Sequence, residues 1–321
     1  MFYKIQFISK NRGQFLIMKN TRFILLFIPI VLLSCHKNDQ DPPCKPLETL
    51  PNYVEWQYEF KDKRYGDVSF NPVNPSELLI YAEVDTSLEV GLFKYNLETK
   101  EKTIIYRGNV IFRPKWSVKD WILFLAADGY LKKVKSNGDS LTFLAQGGLY
   151  SPEWNNTGTK FACQSAAGPN TQIYFFDESG VLLNSVTNGL NNPCWQNVND
   201  SLMLNMSGVI SYMNVYTNEV NFVYEGLYGI LGGAWWADER NIVWAYQEGI
   251  FMTNIDSKET TTIRTTCDSR FYRSLCYSPV SGKLLFIRTI LKSNKKYHLC
   301  SDQKIVMMNL DGSCEEEVEI E

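Results

Sequence analysis

Histidine is almost missing from this 321-residue chain, with His36 and His298 the only two. A histidine-rich metal centre is thereby excluded, no other cysteine or carboxylate spacing supplies a metal set, and no cofactor is implied. Positive charge is not in excess either: 32 Lys and Arg face 35 Asp and Glu for a formal net charge of -3, so nucleic acid is not a favoured partner. No apolar run reaches the ~20 residues that crossing a bilayer takes. Cys-x-x-Cys pairs, which would signal zinc or dithiol redox chemistry, are absent. So are the Gly-x-Ser-x-Gly elbow, His-Glu-x-x-His and the phosphate loop. What remains is a chain of 45% hydrophobic and 14% aromatic residues, enough to bury a large core.

The N-terminus reads as a processing segment. Met18 to Arg22 is short and basic, and Phe23 to Leu33 is apolar apart from Pro29. This pattern fits a signal peptide whose true start is Met18. Its ending, Leu32-Leu33-Ser34-Cys35, resembles the bacterial lipobox, in which signal peptidase II cleaves before a cysteine that then carries lipid. Residues 1–34 are therefore expected to be removed, Cys35 to be lipidated, and residues 35–51, with four prolines, to form a tether. His36 follows the cysteine where an aspartate would resemble an inner-membrane retention signal, so the expected address is the outer membrane.

Residues 52–321 are organised by a repeat. Six aromatic anchors, Phe70, Trp116, Trp154, Trp195, Trp236 and Tyr277, each precede a polar turn and a short apolar run, and the last four are spaced 41 residues apart by subtraction. Turn clusters run in phase with them: Asn96–Thr99, Ser136–Asp139, Asp177–Gly180, Tyr216–Glu219, Asp256–Glu259 and Asp311–Ser313. Asn, Asp and Gly tolerate the backbone angles of tight reversals, and the β-branched and aromatic runs around them are too short for helices. Four strands per ~40 residues predict an all-β, six-bladed β-propeller of four-stranded antiparallel blades. Pro152-Glu153-Trp154 and Tyr277-Ser278-Pro279-Val280-Ser281-Gly282-Lys283 resemble the repeat of TolB-like six-bladed propellers, a similarity that covers roughly residues 65–314. The pattern is lost at Ser117-Val118-Lys119-Asp120 and Gln196-Asn197-Val198-Asn199. Tyr53 to Phe60 is expected to close the ring as outer strand of the last blade, with Glu317 to Ile320 beside it.

In such a blade the connections into the first strand share one face with the second-to-third loops, and these are the variable ones. That loop face, which also receives the insertion 290–303 with Lys292, Lys295, Lys296, Tyr297 and His298, is the expected binding face. Asp67, Arg113, Tyr150, Asn192, Trp235 and Arg273, all just before the anchors, are expected to ring the channel mouth, or to make only contacts between blades. Trp235 is expected to face a neighbouring blade or the mouth. In an oxidising compartment, Cys267–Cys276 and Cys300–Cys314 are the expected disulfides; Cys163 and Cys194 pair or stay as buried thiols, and Cys44 is left over.

Two functions fit. One is a monomeric, non-catalytic envelope module that binds a protein or peptide partner, held on the membrane by its lipid. The other is glycan capture with Trp235, Tyr150, Tyr228 and Tyr272 as stacking platforms. A lyase or hydrolase is a lesser reading. Prolyl oligopeptidases carry their chemistry in a hydrolase domain for which this chain has no room, and oligogalacturonate lyases, which resemble TolB propellers, use metal-binding histidines that it lacks. Mass spectrometry of the native protein is expected to show a chain beginning at acylated Cys35; an intact Met18 in the membrane fraction would remove the anchor.

Overall fold

The structure is a computed structural model. It describes residues 58–60 and 63–320, apart from 86–89, 167–169, 188–190, 197–201, 207–208, 225–232, 247–248, 267–269 and 293–298. The described part lies in the compact unit 35–321, and its regular structure is entirely β.

After β1 (Tyr58–Phe60), the first sheet is β2 (Lys63–Phe70), β3 (Glu77–Asp85), β4 (Gly91–Asn96) and β5 (Lys102–Arg107). The second is β6 (Val110–Trp116), β7 (Trp121–Ala126), β8 (Tyr130–Lys135) and β9 (Thr142–Gln146). The third is β10 (Tyr150–Trp154), β11 (Lys160–Gln164), β12 (Gln172–Asp177) and β13 (Leu182–Thr187). The fourth is β14 (Cys194–Trp195), β15 (Leu202–Met206), β16 (Ile210–Asn214) and β17 (Val220–Tyr224). The fifth is β18 (Gly233–Trp236), β19 (Asn241–Tyr246), β20 (Gly249–Asn254) and β21 (Thr260–Thr265). Each is antiparallel and pairs in chain order. The last sheet holds β22 (Arg270–Ser278), β23 (Lys283–Lys292), β24 (Leu299–Asn309) and β25 (Glu316–Val318), together with β1. The first strands touch in sequence, β2 to β6, β10, β14, β18 and β22, and β22 returns to β2. This is a propeller arrangement with the first strands at the centre.

Turn chemistry explains why the blades recur. Asn96, Asn214 and Asn254 each end a third strand, and each Oδ1 accepts from the backbone N–H groups two and three residues on, at 2.9 to 3.1 Å. The fifth residue of each turn, Lys100, Asn218 or Lys258, takes a left-handed φ of 60° or 61° and donates its N–H back to the asparagine carbonyl. An Asx side chain thus substitutes for part of the ladder and reverses the chain.

The anchors do what their spacing implies. Phe70, Trp116, Trp154, Trp195 and Trp236 are all buried, while Tyr277 is half-buried. Trp236 sits between blades, its Nε1 donating to the Cys194 carbonyl at 3.3 Å.

Closure differs from the expectation of six equal blades. Five sheets are four-stranded antiparallel blades, whereas the last has five strands, one of them parallel. Its β24 is 11 residues long, too long for either terminal strand to cover. β25 pairs with residues 305–307 and β1 pairs in parallel with 299–301. The N-terminal strand thus lies on the outer edge with the C-terminal one beside it, as expected. The tail then crosses the seam, where Tyr95 Oη of the first sheet donates to the Glu319 carbonyl at 2.8 Å. Ile320 enters a cluster with Tyr65, Leu78, Tyr95 and Ile287. Arg264 of the fifth sheet and Arg288 of the last both pair with Glu315, Arg288 at 2.6 Å.

The disulfide expectations are corrected. Cys276 is a free, buried thiol, as are Cys163 and Cys194, so no Cys267–Cys276 bridge exists. Cys276 packs in the seam core with Val68 and Leu285 instead. Cys314 is disulfide-bonded, but its partner lies outside the described side chains. The β24 register also separates Cys300 from Cys314: Asn309 N bonds to Ser313 O, and Cys300 is nine residues back along the strand. That is roughly 30 Å at ~3.3 Å per residue, far beyond the ~7 Å Cα limit of a disulfide.

Because Ile320 is 7% exposed and holds the seam, Ile320→Ala is expected to cost about 2–4 kcal/mol in urea unfolding. A loss below about 0.5 kcal/mol would show that the tail is not a latch.

Candidate functional site

The first strand of each sheet runs down the centre of the ring, and a recurring bulge decides what its side chains face. Ladder register slips in β2 between Tyr65 and Asp67, in β6 between Phe112 and Lys115, in β10 between Tyr150 and Glu153, and in β22 between Arg273 and Cys276. The residue three before the anchor sits at this level in every sheet. Ser151, Asn192 and Ser274 take left-handed φ values of 47°, 54° and 53°, and Gly233 has a φ of 131°. A bulge leaves one residue unpaired and re-aims its side chain.

These residues form a polar belt. Ser151 Oγ donates to Asn192 Oδ1 at 3.0 Å, joining the third and fourth sheets. Ser274 Oγ donates to the Gly66 carbonyl at 3.3 Å and also reaches Asp67, joining the last sheet to the first. Arg273 donates to the Tyr65 carbonyl at 2.5 Å, so it is a seam contact rather than a free cation. Tyr150 and Asn192 are half-buried beside the belt.

Two residues further along, one before each anchor, lies a second layer. Its residues are Ser69, Lys115, Glu153, Cys194, Trp235 and Cys276. Lys115 Nζ contacts Glu153 Oε2 at 2.9 Å and lies 4.1 Å from the centre of the Trp235 ring. One side chain thus spans from the second sheet to the third and to the fifth. Arg113 and Asp67 lie close enough to bias both charges, which gives two cations and two carboxylates near the axis.

Burial is expensive for each of them unless paired. Burial alone would lower the Lys115 pKa, but Glu153 and Asp67 outweigh it and raise the ammonium above its ordinary range. Burial pushes the Asp67 carboxyl up, only partly countered by Arg113, Lys115 and the Ser274 hydrogen bond. The Cys276 thiol is pushed up to about 12 by burial, and burial next to Glu153 raises Cys194 as well. Neither thiol is a nucleophile.

An opening with a cavity volume of about 170 Å³ lies on the anchor side of Lys115. Every sheet contributes to it. Trp116, Trp154, Trp195, Trp235 and Tyr277 supply its walls, Pro72, Val118, Asn156 and Pro279 its rim, and Lys115 with Glu153 its floor. Behind the floor is a smaller polar space lined by Arg113, Ser151, Asn192 and Cys194.

The rim belongs to the turns that follow the anchors. The opening thus faces the short turns, whereas the expected binding face is that of the variable loops. Much of the loop face, including 225–232 with Tyr228 and 293–298 with Lys295, Lys296, Tyr297 and His298, is outside the described residues, as is the Lys292 side chain. Of the expected mouth residues, Asp67, Arg113 and Trp235 converge near the axis, Asn192 joins the belt, Arg273 stands at the seam and Tyr150 is half-buried at the start of β10. Lys115 and Glu153 were not anticipated. Strand alternation was the available signal, since a side chain two residues from a channel-facing one shares its side. Tyr272, expected as a platform, is buried edge-on against Phe286.

No protein-family model and no curated protein matches the sequence. Among solved structures the chain is similar to a putative TolB from Agrobacterium tumefaciens, with a TM-score of 0.53 and 16% identity over 70% of this chain and 86% of that one. It is similar to a chain of a nidogen/laminin complex, with a TM-score of 0.51 and 13% identity over 62% and 79%. An oligogalacturonate lyase from Vibrio parahaemolyticus gives a TM-score of 0.51 and 13% identity over 80% and 77%. At such identities the likeness concerns the fold. The chain is a β-propeller with TolB-like neighbours.

Asp67 sets a pH dependence. Its folded pKa is raised, so the folded state keeps a proton that the unfolded chain releases from about pH 4 upward. Stability therefore falls as pH rises through the folded pKa, and the cost is absent below the unfolded value. Asp67→Asn is expected to gain stability relative to wild type as pH goes from 4 to 7 in urea titrations. A pH-independent difference would place the carboxylate's proton elsewhere.

Proposed function

We propose that this chain is a cell-envelope binding module, lipidated at Cys35 and held at the outer membrane, whose propeller takes a protein or peptide partner in the anchor-side funnel. In this reading the last sheet counts as a sixth blade and residues 52–321 act as one domain. The observation that carries the proposal is the funnel itself. All six sheets line it, its walls are aromatic, and its floor is closed by a buried ion pair.

Concave, mostly apolar sites with a few placed polar groups are where ligands bind, and aromatic residues dominate binding energy at protein contacts. A propeller neighbour whose structure is that of a complex between two proteins, nidogen and laminin, is consistent with the reading. Sugar stacking is less well served, because the Trp235 face is covered by Lys115 and Tyr272 is buried. Glu153 is held by a direct ammonium contact, although burial outweighs it and raises the carboxyl above its ordinary range.

The rim residue Val118 is 41% exposed and Phe143, on the outermost strand of the same sheet, is 59% exposed. Peptides selected from a display library on the wild-type protein are expected to bind Val118→Arg about tenfold or more weakly and Phe143→Arg unchanged, by calorimetry. Loss on Phe143→Arg with Val118→Arg unaffected would move the site to the outer edge.

A further inference from the structure

Lys115 has an unused direction at the funnel floor. An ammonium carries three N–H donors. One meets Glu153 Oε2 at 2.9 Å and a second is directed to the Trp235 ring at 4.1 Å. The third has no acceptor among the described residues. Other sheltered polar atoms around the same cavity share that bias. Trp154, Trp195 and Trp235 line the funnel, and the Nε1 of each is buried without a hydrogen-bond partner among the described residues. An indole N–H donates and cannot accept. Ser69 Oγ, also lining the funnel and without a partner, can do either.

A ligand matched to this inventory brings acceptor oxygens on an apolar body. An amine or guanidinium would add donors to a surplus of donors and face the Lys115 charge. A carboxylate would gain a charge-assisted hydrogen bond, about twice as strong as a neutral one. The Lys115 side chain also crosses the axis to Glu153 and Trp235, so the funnel ends there and admits an end of a chain, not its middle. Of the two ends of a polypeptide, only the C-terminus is an acceptor.

We propose, building on the peptide-binding reading above, that the funnel captures the C-terminal carboxylate of a partner polypeptide whose last residue is apolar or aromatic. The carboxylate takes the third N–H of Lys115, and the last side chain packs between Trp154 and Trp195. Capture of terminal carboxylates by preformed donors is a recurring recognition mode.

The probes are acetylated tetrapeptides Gly-Ser-Ala-X, with X as Phe, Leu or Asp, each as free acid and as C-terminal amide, titrated into the full chain by calorimetry. The Phe and Leu acids are expected to bind about tenfold or more tightly than their amides, and the Asp peptides weakly in both forms. Since Lys115→Met alone would strand a buried Glu153, the variant to compare is Lys115→Met with Glu153→Leu, which should fold and lose the preference for acid over amide. Equal binding of acid and amide overturns the inference; if that binding is blocked by Val118→Arg, the peptide-binding reading still stands. A free small acid, 3-phenylpropionate, binding as tightly as the Phe peptide overturns the polypeptide source. Failure of every peptide to bind overturns both readings.

Discussion

The seam is the constraint on which the rest of this structure depends. A ring of sheets made from one chain must join its last sheet to its first without a covalent link, or the central strands have no fixed relation to one another. Here the C-terminal segment carries that load. Glu315 ties Arg264 and Arg288 together, and β25 then adds to β24. The tail goes on to give its Glu319 carbonyl to Tyr95 and Ile320 to the core of the first sheet. The contributions differ in kind. Largely buried arginine pairs gain from low dielectric but lose hydration, whereas Ile320 contributes by area removed from water. The apolar contact closes the seam, whereas the ion pairs tie the fifth sheet to the last.

Closure fixes the axis, and the axis holds the chemistry. Lys115, Glu153, Asp67 and Arg113 come from three consecutive sheets, and closure brings Trp235 of the fifth sheet against Lys115. Two cations beside two carboxyls are tolerable there because neighbours offset part of each other's desolvation, although burial still raises both carboxyls. Polar groups in such a place are costly for stability, and apolar side chains of similar size would fill the channel as well or better. That balance is why the funnel floor, rather than the more exposed charges of the outer strands, is read as functional.

The sequence disclosed the scaffold more readily than the site, for a physical reason. Anchors and turns are local: an aromatic at the end of a strand, or an asparagine whose Oδ1 caps the N–H groups two and three residues on, needs only its own few neighbours. Their period exposes them. Closure and the channel depend on pairs far apart in sequence, such as Tyr95 with Glu319 or Lys115 with Trp235, and no local pattern encodes which partner meets which. Residues 58–60 lie on the expected outer edge with the C-terminal strand beside them, but strand alternation marks a strand and not how much of that edge it covers. Bulges hid the channel residues further. A positive φ at Ser151, Asn192 and Ser274 shifts the alternation by one, so counting back from the anchor in twos fails beyond the bulge and holds only up to it.

Within that reach the position one before the anchor is the informative one. The anchors are all aromatic because they fill the gap between adjacent blades, and little else has the volume. Their neighbours one residue earlier are Ser69, Lys115, Glu153, Cys194, Trp235 and Cys276, which share a location and almost nothing in chemistry. A position that the fold restricts in shape but not in type is where a repeat scaffold can differ from blade to blade without disturbing its core. The anchors on the other side of the same strands then serve twice, since Trp154 and Trp195 hold the blades apart and also wall the funnel. Scaffold and site are therefore not separate sets of residues here. What distinguishes them is which atoms of the same strand end meet the neighbouring blade and which meet the axis.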